Sequence, residues 1–84
     1  MSLVVDASDI AHIGSELSRH MEVAKGISPD YRVGQGLFNV LCLLHPKIAE
    51  GIRGSKYDMF HTDSKDEAFE KLAGYLKDKE ILKI

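Results

Sequence analysis

A chain of 84 residues with 44% apolar and 29% charged content, two prolines and a net charge of −2 has the composition of an ordinary folded domain rather than a disordered one. Its one cysteine, Cys42, excludes an intrachain disulfide, and no Cys/His cluster is spaced for zinc, so a reducing cytoplasm is the expected compartment. Divided after His45, the first part carries −2 and the second is neutral, so neither offers the positive field on which nucleic-acid affinity rests.

Met1-Ser2-Leu3 reads as a cloning leader and is given no role. No basic, apolar signal segment follows it, and the longest apolar run, Val40–Leu44, is far short of the roughly 20 residues that cross a bilayer. Ile10, Ile13, Leu17, Met21 and Ala24 recur at steps of three and four, predicting a helix that starts near Ser8 or Asp9 and stops at Gly26. So narrow a stripe suits a facing helix, and a short chain gains by sharing its core. A homodimer through Ile10, Ile13, Leu17 and Met21 is therefore expected. His12, Glu16 and His20 also step by four, but eight residues at about 1.5 Å each separate the histidines by about 12 Å, too far for one ion. A solvated face with a Glu16–His20 contact is the better reading.

Ser28-Pro29-Asp30 combines a favoured N-cap, a proline suited to the first helical position and an acid in the first turn, which predicts a second helix from Ser28. The alternative start lies after Gly36, with Tyr31-Arg32-Val33 extended. Val33, Leu37, Val40, Leu41 and Leu44 form the core-facing stripe, and Phe38 and Leu43 widen it on either side. Gly34 and Gly36 do not make a phosphate cradle: a dinucleotide fingerprint needs glycine where Asn39 stands, and a P-loop needs lysine where Leu37 stands. They are read as packing glycines, with Gly36 expected to accept alanine and Gly34 to tolerate it less well. Cys42 and His45 are spaced for a thiolate–imidazole pair, but their apolar neighbours predict a buried, inert thiol.

Pro46 to Arg53 reads as a third short helix stopped by Gly54. The connector from Ser55 to Asp63 holds Tyr57, Met59 and Phe60, too apolar for a free loop, and is expected to fold back over the core. Ser64-Lys65-Asp66-Glu67 matches a capping box, after which Ala68, Phe69, Leu72, Ala73 and Leu76 share one face, with Glu67 and Lys71 paired on another. The prediction is all-α: 1–84 as one small irregular bundle of three to four helices.

Ser28, Arg32, Gln35 and Asn39 would lie together opposite the apolar stripe, either as a solvated band or as a recognition surface. Arg53-Gly54-Ser55 beside Tyr57 and Phe60 offers a second patch, unless Arg53 simply caps its helix and the rings close the core. The blocks Arg32-Val33-Gly34-Gln35-Gly36-Leu37-Phe38-Asn39-Val40-Leu41 and Ile52-Arg53-Gly54-Ser55-Lys56-Tyr57-Asp58-Met59-Phe60 resemble a family of short, uncharacterised bacterial and phage proteins carrying RxGQxLFNxL and IRG[ST]xxDxF. That resemblance implies a phage or prophage origin and singles out Arg32, Gln35, Asn39, Arg53, Ser55 and Asp58 as a candidate interaction surface. With no convergent acid, base or nucleophile, no cofactor motif and no metal set, the expected function is that of a non-enzymatic cytoplasmic interaction or regulatory protein with an unknown protein partner. The alternative is a small helix-turn-helix-like DNA-binding regulator built on the second and third helices.

Overall fold

The N-terminal helix owes its start to a reciprocal pair of aspartates. In the computed structural model, which describes residues 4–82, the Asp9 N–H donates to Asp6 Oδ1 (3.0 Å) and the Asp6 N–H donates to Asp9 Oδ2 (3.1 Å). Helix α1 therefore begins at Ala7, ahead of the predicted Ser8 or Asp9, and runs to Ile27. The leader assignment for residues 1–3 lies outside the described residues. Ile13 and Leu17 are fully buried and Ile10 and Met21 half-buried, all packed into the protein's own core against helix α2 (Val33–Leu44). The seam proposed for a homodimer is thus consumed inside the protomer, because a second apolar helix lies within reach along the same chain.

Helix α2 starts five residues later than Ser28. α1 persists through Ile27, and Ser28 is its C-cap, with its N–H bonded to Ala24 O (2.8 Å). Ser28 to Tyr31 then closes a turn, Tyr31 N–H to Ser28 O (3.0 Å). Arg32, the actual N-cap, is extended and makes no side-chain cap bond. Two free N–H groups of α2 are instead satisfied from the connector far along the chain: Gly34 N–H donates to Thr62 O (2.9 Å) and Val33 N–H, more weakly, to Asp63 Oδ1 (3.4 Å).

Both glycines of the Arg32–Pro46 stretch lie within α2 and are buried, and neither has a positive φ. They let two different neighbours approach. A Cβ on Gly34 would overlap the Met59 carbonyl oxygen and lie 2.6 Å from that of Thr62. A Cβ on Gly36 would overlap Met21 Sδ and lie 3.2 Å from Leu17 Cδ1, so alanine there requires the flexible Met21 side chain to shift, whereas at Gly34 it meets fixed backbone, in keeping with the expected order of tolerance.

His45 serves as C-cap of α2 and N-cap of α3 (Pro46–Ile52). Proline at the first position of α3 disfavours helical backbone at His45, which is why the chain breaks after Leu44. α3 buries Ile48, Ala49 and Ile52, and Gly54 ends the segment at φ 73°, a left-handed conformation that suits glycine. The connector folds back as expected: Met59 is fully buried, and Tyr57 and Phe60 are half-buried, Phe60 edge-on to Phe38 at 5.8 Å. Helix α4 (Lys65–Asp78) is capped by Ser64 Oγ, which accepts from Glu67 N–H (3.2 Å). Only half of the predicted capping box forms, since Glu67 Oε2 accepts from Thr62 Oγ1 (2.8 Å) instead of reaching back to Ser64. No Glu67–Lys71 ion pair is present among the described residues.

α2 is the centre of the fold, with α1, α3 and α4 against it. Between the ends, Val5 N–H donates to Ile81 O (2.9 Å) and Val5 forms an isolated parallel bridge with Leu82, so the segments flanking the helices are pinned together. The described residues thus form a small irregular all-α bundle of four helices.

Candidate interaction surface

The six residues singled out from the sequence, Arg32, Gln35, Asn39, Arg53, Ser55 and Asp58, fall on α2, at the end of α3 and in the connector, in different settings. Arg32 is exposed at the start of α2, and Gln35 is half-buried one turn on. Arg53 is exposed at the end of α3, with its guanidinium carbon 5.8 Å from the Phe38 ring centroid. Ser55 and Asp58 are occupied in building the connector. Ser55 Oγ donates to Ile52 O (2.7 Å) and accepts from Tyr57 N–H (3.1 Å). Asp58 accepts from Gly54 N–H at Oδ2 (2.9 Å) and from Phe60 N–H at Oδ1 (3.0 Å). Burial raises the Asp58 pKa, but the two backbone donors and the charges of His61 and Lys71 outweigh it, so the carboxyl titrates below its usual range.

Asn39 belongs to a polar cluster that joins α1, the α1–α2 turn and α2. Its Nδ2 donates to Tyr31 Oη (2.6 Å), and Tyr31 Oη lies 2.7 Å from His20 Nε2, with the two rings 5.5 Å apart. The hydroxyl accepts from Asn39 and makes its second hydrogen bond with His20 Nε2, so one phenolic oxygen ties both helices to the turn. The expected Glu16–His20 contact is replaced: His20 turns to Tyr31, and Glu16 Oε1 pairs with Arg19 Nη1 at 3.8 Å. Tyr31 was not among the sequence candidates. The signal that could have found it is an aromatic hydroxyl in a turn otherwise made of polar residues.

Beside His20 the two helices border a groove of about 350 Å³ whose accessible lining is mostly apolar. Val23 of α1 and Leu43 of α2 form its two lips, 66% and 79% exposed, while Val40 and Leu44 lie deeper. Glu16 and Arg19 edge the α1 side. Ile27, one turn beyond Val23, is 82% exposed and extends the α1 apolar row. Leu43 widens the predicted apolar stripe in the sequence but is not part of the core. At about 100° per residue it lies about 140° around α2 from Phe38, outside the arc that α3 and the connector cover.

Cys42 is exposed, which corrects the prediction of a buried thiol. Its sequence neighbours are apolar, but its own place on the wheel is about 140° from Leu37, on the open side of the helix. It lines a shallow groove of about 190 Å³ with Phe38, Ala49 and Arg53. Among the described residues no group of three His, Cys, Asp or Glu is placed to hold a metal ion, no polar or charged residue is buried, and no buried side-chain polar atom lacks a partner. No helix among them is long and apolar enough to cross a membrane. Comparison with protein-family models, with curated proteins and with solved structures gives no match to this chain.

Proposed function

We propose that this chain is a non-enzymatic interaction domain that takes a partner polypeptide in the α1–α2 groove. The observation that carries the reading is the pair of lips: two branched aliphatic side chains, Val23 and Leu43, largely exposed on either side of an apolar floor with nothing of the described chain over them. Scattered apolar residues on a surface are ordinary, but a rimmed groove with apolar walls marks an interaction site. The His20–Tyr31–Asn39 bonds hold α1 and α2 at fixed spacing beside it, so the groove is pre-formed. A cytoplasmic setting keeps the exposed Cys42 thiol reduced. Kinship with the short bacterial and phage proteins, and with it a phage or prophage origin, rests on the Arg32–Leu41 and Ile52–Phe60 blocks.

DNA binding is the weaker reading. A helix-turn-helix joins its helices by a turn of three or four residues, whereas His45 alone separates α2 from α3. The exposed charged residues of α3 are Lys47 and Glu50, followed by Arg53 beside Phe38, so the charges largely cancel. The test of the preferred reading is selection of binders from a displayed library of helical peptides, followed by NMR mapping. Selected peptides should shift Val23, Leu43 and Leu44 resonances and should not bind a Leu43→Glu variant. Binders that map only to other faces would refute it.

A further inference from the structure

Of the chain's three methionines, two lie among the described residues, and they sit in opposite environments. Met59, in the connector, is fully buried. Met21 is half-buried at the seam between α1 and α2, and its side chain lines an open groove of about 320 Å³ that runs from α1 past Val33 to Lys65 at the start of α4. A thioether is oxidised where a peroxide can reach it, so position alone makes Met21 the reactive one of the two.

Its sulfur also rests where only a glycine leaves room. The Cβ that any other residue would carry at position 36 overlaps Met21 Sδ, so the sulfur lies against bare Gly36 backbone. The next nearest atoms to that point, Leu17 Cδ1 at 3.2 Å and His20 Cδ2 at 3.4 Å, are carbon, and Gly36 N–H is already bonded to Arg32 O (3.0 Å). An oxygen added to the sulfur here has no free donor among these groups, and a polar S–O bond without one is costly to bury. The side chain must therefore carry its sulfur out toward the groove, which strips the packing from Gly36 and loosens α1 on α2.

We infer that Met21 is an oxidation site for hydroperoxides and that its sulfoxide opens the α1–α2 seam. In the reaction the sulfur lone pair takes the terminal oxygen of the peroxide as the O–O bond breaks. Sulfur gives up two electrons, the peroxide is reduced, and the proton on the transferred oxygen passes to the leaving oxygen. The co-product is water from hydrogen peroxide, or the alcohol from an alkyl hydroperoxide. Sulfoxide reductases return the side chain to methionine, so the opening is reversible.

The full chain carrying Cys42→Ser, which removes the exposed thiol as a second target, is treated with hydrogen peroxide and followed by peptide mass mapping and thermal melts. In the folded protein Met21 should gain one oxygen about tenfold faster than Met59, and in denaturant the two should react at like rates. The oxidised protein should melt about 4–8 °C lower, and sulfoxide reductases for both epimers should restore the original Tm. Met21→Leu, a swap of similar volume, should fold, and peroxide should leave its Tm in place although Met1 and Met59 remain. Equal rates for Met21 and Met59 in the folded protein overturn the inference, as does an oxidised Met21 without a fall in Tm. A fall that the reductases do not reverse, or that persists in Met21→Leu, overturns it too. Should Met21→Leu fail to fold, the two rates and the reductase rescue in the Cys42→Ser chain decide alone.

Discussion

Replacing Gly34 with alanine sets backbone against backbone. The added methyl group would occupy space held by the Met59 and Thr62 carbonyl oxygens, neither of which can swing away as a side chain can. The connector must retreat from α2, and with it goes the bond from Gly34 N–H to Thr62 O, now 2.9 Å. Overpacking costs about 1–3 kcal/mol. Weakening a buried hydrogen bond adds about 1–3 kcal/mol. Alanine's better helix propensity returns about 1 kcal/mol at most. The expected net loss is about 3 kcal/mol, a large share of the roughly 5–15 kcal/mol that holds a small domain together. In a domain of this size it corresponds to a fall of about 12–24 °C in Tm. Urea titration and thermal circular dichroism measure it, with Gly14→Ala as the control. Gly14 lies mid-α1 with nothing within 4 Å of its would-be Cβ, so alanine there should stabilise by about 0.4–1 kcal/mol. A Gly34→Ala protein within about 0.5 kcal/mol of the unmodified one, a change typical of featureless surface sites, would refute the packing argument.

Removing the Tyr31 hydroxyl (Tyr31→Phe) takes the shared partner from Asn39 and His20. A loss of about 1 kcal/mol by urea titration is expected, and an unchanged midpoint would mean the cluster holds nothing. The depressed pKa of Asp58 means that the unfolded chain binds more protons near pH 4, so stability rises with pH there; the contribution is present above the unfolded value and disappears as pH falls through the folded one. Asp58→Asn should therefore be less stable at pH 7 and lose less on acidification, and parallel acid-unfolding curves for the two proteins would contradict the assignment. Glu80 holds φ 56° just after α4, where Ile81 N–H closes back on Leu76 O (2.8 Å). Glycine in this left-handed position should raise stability by about 0.5–1 kcal/mol, and a lowered Tm would show that the glutamate side chain contributes more than its backbone costs.

Local signals were legible wherever one segment decides its own conformation. The three-and-four spacing from Ile10 to Met21 gave α1, Pro46 gave the start of α3, Gly54 its left-handed stop, and Ser64 the cap of α4, because each depends on groups within about one turn. Only the tertiary structure decided the start of α2, because Ser28 was claimed as a cap by the preceding helix and the donors at Val33 and Gly34 found acceptors in Asp63 and Thr62, distant in sequence beyond α3. The same holds for the two glycines: their spacing is visible in the sequence, but which atoms press on them is not, and Gly36 meets α1 where Gly34 meets the connector. The His20–Tyr31–Asn39 cluster joins positions 11 and 8 residues apart across two helices and a turn, beyond any single helical wheel. The groove was illegible for the complementary reason. A wheel shows that Leu43 and Val23 are apolar, but exposure depends on which arcs of a helix its neighbours cover, and that is settled only when α1, α3 and the connector have all taken their places around α2.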